Sequence, residues 1–128
     1  MRERVLVVED EALVALTMET VLEDAGFEVA DTVVSGQAAI DACDAQTPAV
    51  VLMDINLKGP MDGIEAARLV RERCGVQVVF VTGQGDAATR ERAMAGGPAG
   101  YLRKPFTPEA LVAAVRAALR PRGEAAAG

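Results

Sequence analysis

The 128-residue sequence contains no histidine and no tryptophan, one tyrosine and three phenylalanines. Without histidine the chain has no Ser-His-Asp relay, no imidazole metal ligand and no phosphohistidine of its own. Its chemistry must rest on carboxylates, lysine and hydroxyls. Cysteine is scarce too: Cys43 and Cys74 stand in helical patterns with no CxxC spacing. That spacing supports neither a zinc site nor a vicinal redox pair, so both read as buried or half-buried thiols.

Long apolar runs are missing as well. The start, "MRERVLVVEDE", has basic residues ahead of an apolar run that stops after a few positions, too short for a signal-peptide core. No other stretch reaches the length of a spanning helix. The cytoplasm is therefore the expected compartment, without membrane insertion. Lysine and arginine number 13 against 19 acids, a net charge of −6. Phosphate-backbone binding needs clustered cations, so direct contact with nucleic acid is not expected.

What is present is a regular alternation. "VLVV" (5–8), "VVLM" (50–53) and "VVFV" (78–81) are short, β-branched and apolar throughout. They read as strands buried on both faces, as central parallel strands are. Weaker strand patterns cover 27–34 and 99–104. Between them Val14, Met18, Val21, Leu22 and Ala25 form one helical stripe ending at Gly26, and Ile64, Ala67, Val70 and Cys74 form another ending at Gly75. A third stripe, Leu111, Val115, Ala118 and Leu119, is opened by Thr107-Pro108-Glu109: a cap, a first-turn proline and a first-turn acid. Helical segments near 36–45 and 86–95 complete five strand–helix pairs. The pattern predicts an α/β fold, a parallel sheet with right-handed crossovers and helices on both faces. One domain is expected over 1–120, with 121–128 a frayed tail.

In such a sheet the functional crevice lies beyond the carboxyl ends of the strands. Glu9, Asp10 and Glu11 follow the first strand, Asp54 the third, Thr82 the fourth and Lys104 the fifth. An acid at the end of a buried strand costs free energy unless its charge is compensated. Convergence of the first and third strands would gather carboxylates at one edge, where an all-oxygen cluster suits a hard cation such as Mg²⁺. Lys104 adds a compact positive charge and Thr82 a hydroxyl for a phosphoryl oxygen. An aspartate so placed can act as a nucleophile and form an acyl phosphate. Each residue also has an ordinary reading: Asp10 as a helix cap, Glu11 as a cap or solvated loop acid, Thr82 as a strand-ending hydroxyl, Lys104 as a solvated lysine.

"VLVVEDE", "VVLMDINL", "MDGIEAAR", "VVFVTG" and "GYLRKPF", in this order, resemble the receiver domain of two-component response regulators over residues 3 to about 120. The resemblance implies a flavodoxin-like (βα)₅ fold with strand order 2-1-3-4-5. It implies that Asp54 accepts a phosphoryl group from a partner histidine kinase or histidine phosphotransfer protein. Mg²⁺ would be held by Asp10, Asp54 and the backbone carbonyl of Asn56, with Glu9 acting largely through a metal-bound water. Thr82 and Lys104 would contact the phosphoryl group, Tyr101 would rotate between exposed and buried positions, and the Lys104-Pro105 bond would be cis. Two departures are visible. The Asp54-to-Gly63 stretch is one residue longer than the commonest spacing, with Lys58-Gly59-Pro60 in it, and Gly83-Gln84-Gly85 follows Thr82.

The reading that follows is a stand-alone phosphoryl-accepting switch, not an enzyme in its own right, acting on an unknown downstream protein or as a phosphate shuttle or sink. The receiver part of a longer regulator or hybrid kinase is the alternative. An aspartyl-phosphate phosphatase of the haloacid dehalogenase type is disfavoured, because its usual second aspartate is here Asn56. A flavodoxin is disfavoured too, since no Ser/Thr/Gly-rich loop follows the first strand.

Overall fold

Alternate residues of the first strand pattern point to opposite sides of a sheet, and both sides are apolar, so this strand must be covered twice. The computed structural model describes residues 2–83 and 85–120 and has that arrangement. The element order is β1 (Arg4–Val8), α1 (Ala12–Asp24), β2 (Glu28–Val33), α2 (Gly36–Gln46), β3 (Val50–Met53), α3 (Gly63–Cys74), β4 (Gln77–Thr82), α4 (Ala87–Ala95), β5 (Gly100–Arg103) and α5 (Pro108–Leu119). The strands form one parallel sheet in the order β2-β1-β3-β4-β5, as expected. The winding reverses beside β1, so β1 and β3 are neighbours.

Val5, Val7, Leu52, Val79 and Val81 face α1 and α5, packing with Met18, Leu22, Leu111 and Val115. Leu6, Val8, Val51, Met53, Val78 and Phe80 face α2 and α3, packing with Ile40, Cys43, Ala66 and Val70. The period-2 alternation of fully apolar strands thus builds two cores, one on each side of the sheet.

Local signals set the helix ends. Thr107 accepts a hydrogen bond from the Ala110 N–H, with Pro108 in the first turn of α5. Ser35 caps α2, Asp62 caps α3 and Asp86 caps α4 in the same way. Gly75 closes α3 with a φ of 65°, a left-handed conformation that costs glycine little. Cys43 and Cys74, far apart in the sequence, come together through the packing of α2 on α3; Cys43 is buried and Cys74 exposed. The expected tail at 121–128 and residue 84 of the Gly83-Gln84-Gly85 stretch lie outside the described residues.

Candidate functional site

The loops after β1, β3 and β5 each begin with one more rung of the sheet. The Glu9 N–H donates to Val33 O (2.9 Å), the Asp54 N–H to Val8 O (3.0 Å) and the Lys104 N–H to Thr82 O (3.0 Å). These bonds carry sheet geometry one residue past the strand ends, which fixes where the side chains emerge. Asp54 is 4% exposed, Glu9 1% and Thr82 0%. Asp10, Asp54, Asn56, Lys58, Thr82 and Lys104 line a polar cleft of about 410 Å³ at this edge.

Lys104 is the centre of the charge arrangement. Its Nζ lies 2.7 Å from Glu9 Oε1, 3.2 Å from Glu11 Oε1 and 3.3 Å from Asp54 Oδ2. The second Glu9 oxygen accepts the Glu11 N–H at 3.1 Å, and Asp54 Oδ1 accepts the Asn56 N–H at 3.3 Å. Burial holds the Glu9 carboxyl above its ordinary range, even though Lys104 and the Glu11 N–H pull it down; the Asp54 charge adds to the rise. For Lys104 burial alone would favour the neutral amine, but the contact with Glu9 and the charges of Asp54 and Glu9 outweigh it and raise its pKa. One ammonium among three carboxylates leaves a surplus of negative charge.

That surplus, with an all-oxygen donor set, fits a hard divalent cation. Glu9, Glu11 and Asp54 each offer a carboxylate oxygen, all within 4.8 Å of one another. This trio shares Glu9 and Asp54 with the ligand set implied by the resemblance, which also held Asp10 and the Asn56 carbonyl and did not include Glu11. Asp10 lines the cleft but stands outside that group. Glu11, read as a cap or a loop acid, occupies the N-cap position of α1 without a side-chain capping bond and reaches Lys104 instead. Lys58, from the lengthened loop, also reaches the cleft. The consecutive acids Glu9-Asp10-Glu11 were the only signal for the first of these additions, and nothing but its place in the loop signalled the second.

Tyr101 lies on β5, away from the carboxylates. Its ring meets Phe80 edge-on with centroids 6.4 Å apart, and the Arg90 guanidinium carbon is 5.0 Å from the ring centroid. It is half-buried and bridges the sheet to α4. The Lys104-Pro105 bond is cis.

The sequence matches the response regulator receiver domain over residues 5–116. The chain belongs to that family. A receiver with 33% identity and a TM-score of 0.88 is the signal receiver domain of a modulated diguanylate cyclase from Desulfovibrio desulfuricans G20; 93% of this chain and 94% of that one are covered. Among relatives, the "DNA-binding response regulator MtrA" of Mycobacterium tuberculosis H37Rv is 39% identical over 94% of this chain and 52% of its own length. The "Transcriptional regulatory protein PdtaR" of Mycobacterium tuberculosis (strain CDC 1551 / Oshkosh) is 32% identical over 91% of this chain and 56% of its own. The receiver thus spans about half the length of these curated relatives. Receivers of response regulators are in general phosphoacceptors in two-component signalling rather than enzymes. Among the described residues, no helix is long and apolar enough to cross a membrane.

Proposed function

We propose that this receiver is a phosphoryl-accepting switch whose acceptor is Asp54. The observation that carries the proposal is the contact of Lys104 Nζ with Asp54 Oδ2 at the mouth of a polar cleft, in a carboxylate that is otherwise buried. A buried acid held at a strand end by a backbone rung is oriented for attack, and a lysine beside it offers a fixed charge to an incoming phosphoryl oxygen. Asp54 Oδ attacks the phosphorus of a donor phosphohistidine: the O–P bond forms, the N–P bond breaks, and the departing imidazole takes a proton from solvent.

Bound Mg²⁺ would neutralise charge on the phosphoryl oxygens and among the acids. Asp10, Asp54 and the Asn56 carbonyl would hold it, with Glu9 behind them, and the Glu11 carboxylate stands close enough to join. Lys104, released from part of its contact with the acids, and the Thr82 hydroxyl would then hold the phosphoryl group. Thr82 and Tyr101 form the switch, carrying the change at Asp54 to α4 and β5.

The donor is a histidine kinase or histidine phosphotransfer protein, in the cytoplasm. The unit that folds is 1–120. The charge of −6 supports output through protein contact by this segment, and the DNA-binding role named for MtrA concerns a chain about twice as long. Phosphotransfer from a panel of phosphorylated histidine kinases at short times tests the proposal. Rapid transfer from one kinase, abolished by EDTA, is expected; transfer from none, or transfer indifferent to EDTA, would contradict it.

A further inference from the structure

The receiver fold places Cys43 of α2 beside Cys74 of α3, on the flank of the domain away from the phosphoacceptor cleft. Of all helix pairs, α2 and α3 are in the most extensive contact. Cys43 is fully buried in the core between them, and Cys74, the last residue of α3, is exposed. The two thiols lie near enough for each to affect the other's ionisation. Cys74 Sγ also donates to Asp44 Oδ1 at 3.6 Å, and Asp44 is held by Arg73 at 2.5 Å, so the neighbours of both cysteines are tied to each other across the helix pair. Gly75, immediately after Cys74, gives the end of α3 room to adjust.

We infer that Cys43 and Cys74 are an oxidation site, at which a peroxide-class oxidant closes an intramolecular disulfide between α2 and α3. The division of labour follows from exposure. Cys74 meets the oxidant first: its sulfur takes one peroxide oxygen to become a sulfenic acid, and one water leaves. The Cys43 sulfur then attacks the Cys74 sulfur, the S–S bond forms, the S–O bond breaks, and a second water leaves. Two thiols have given up two electrons and two protons, and one peroxide has become two waters. Burial pushes the Cys43 thiol up to about 12, and burial with the neighbouring Asp44 raises Cys74 as well. Both sulfurs are therefore thiols at neutral pH, which slows both steps, so closure is expected under sustained excess of peroxide rather than at first exposure. In a reducing compartment a disulfide of this kind is a transient mark rather than a structural staple.

The closed ring would enclose β3, Asp54 and the cap of α3. It would shorten the freedom of the unfolded chain and so stabilise the fold.

The test treats the native full chain with hydrogen peroxide. Expected are a cross-linked peptide joining residues 43 and 74, lighter by two hydrogens than its reduced parts, opening of that cross-link by dithiothreitol, and an unfolding midpoint higher by roughly 5 °C or more. Cys74→Ser, an exposed substitution that leaves the core untouched, is expected to give no such cross-link and to leave Cys43 a free thiol under the same treatment. Cys43→Ala is expected to leave Cys74 as a sulfinic acid or in a disulfide-linked dimer. Over-oxidised Cys74 or intermolecular dimers in the wild type, with Cys43 still alkylatable after unfolding, would overturn the inference. So would two unmodified thiols.

Discussion

Gly63 stands where no other residue fits. A Cβ there would lie 1.9 Å from the Asp54 carbonyl oxygen and 2.8 Å from Ile55 Cα, both backbone atoms that cannot turn aside. The Gly63 N–H donates to Ile55 O at 2.8 Å, so the start of α3 is stitched to the segment that carries Asp54. Gly63→Ala is expected to cost ~3 kcal/mol or more, read as a lowered urea midpoint, and to slow phosphorylation. An unchanged midpoint would contradict this steric account. Glu9 offers a second test. Its folded-state pKa is raised, so the folded chain binds that proton more tightly than the unfolded chain, and the stabilising contribution is greatest in acid and is lost as pH rises through the folded value. Glu9→Gln is expected to raise the thermal midpoint at pH 7.5 without divalent cation, with the gain shrinking towards pH 4. A gain equal at both pH values would remove burial of the charge as its cause. Asp54 and Lys104 were legible in the sequence because each follows a strand directly and inherits its direction. Glu11 was not, because its reach depends on the angle at which α1 leaves β1.

Among the helices, α4 is the least anchored. Ala93 is its one buried side chain, whereas α3 and α5 each bury several. Its ties include the Arg92–Asp62 ion pair at 3.2 Å and the approach of Arg90 to Tyr101, both partly in solvent and of modest worth. Phosphorylation at Asp54 would offer Thr82 a new acceptor, and movement of the following loop would open space for Tyr101 to turn inward. Loss of one hydroxyl removes about 1 kcal/mol of the difference between the two states. Thr82→Ala is therefore expected to remain phosphorylatable while giving smaller beryllofluoride-induced changes in amide exchange over 85–106. Strong protection over 85–95 in the unmodified chain, unaltered by beryllofluoride, would rule out α4 as the moving part. The helix ends were readable in advance where the signal is local, as at Thr107-Pro108-Glu109 and Gly75. The union of Cys43 with Cys74 was hidden, since it is set by how two helices pack and neither segment encodes that alone.

At the scale of the whole molecule, the winding order brings β1 and β3 together and so makes one site out of acids more than forty residues apart. The strand patterns disclosed this arrangement because parallel strands covered on both faces leave few topologies open. Which carboxylates draw closest was not disclosed, because side-chain reach within a few ångströms is decided by the loops. The excess of acid over Lys104 predicts that cation binding stabilises the fold. With Mg²⁺ tenfold above its dissociation constant the gain is about 1.4 kcal/mol, several degrees in the midpoint, and Lys104→Met is expected to enlarge the response. A midpoint indifferent to Mg²⁺ would remove the metal from the account. The central claim is the identity of the acceptor, and chemical trapping reads it directly. The chain is phosphorylated by acetyl phosphate with Mg²⁺, reduced with borohydride to turn the aspartyl phosphate into homoserine, and mapped by peptide mass spectrometry. Homoserine at position 54 alone, and none anywhere in Asp54→Asn, is the predicted result; homoserine at Asp10 or another aspartate, or its persistence in Asp54→Asn, would contradict it.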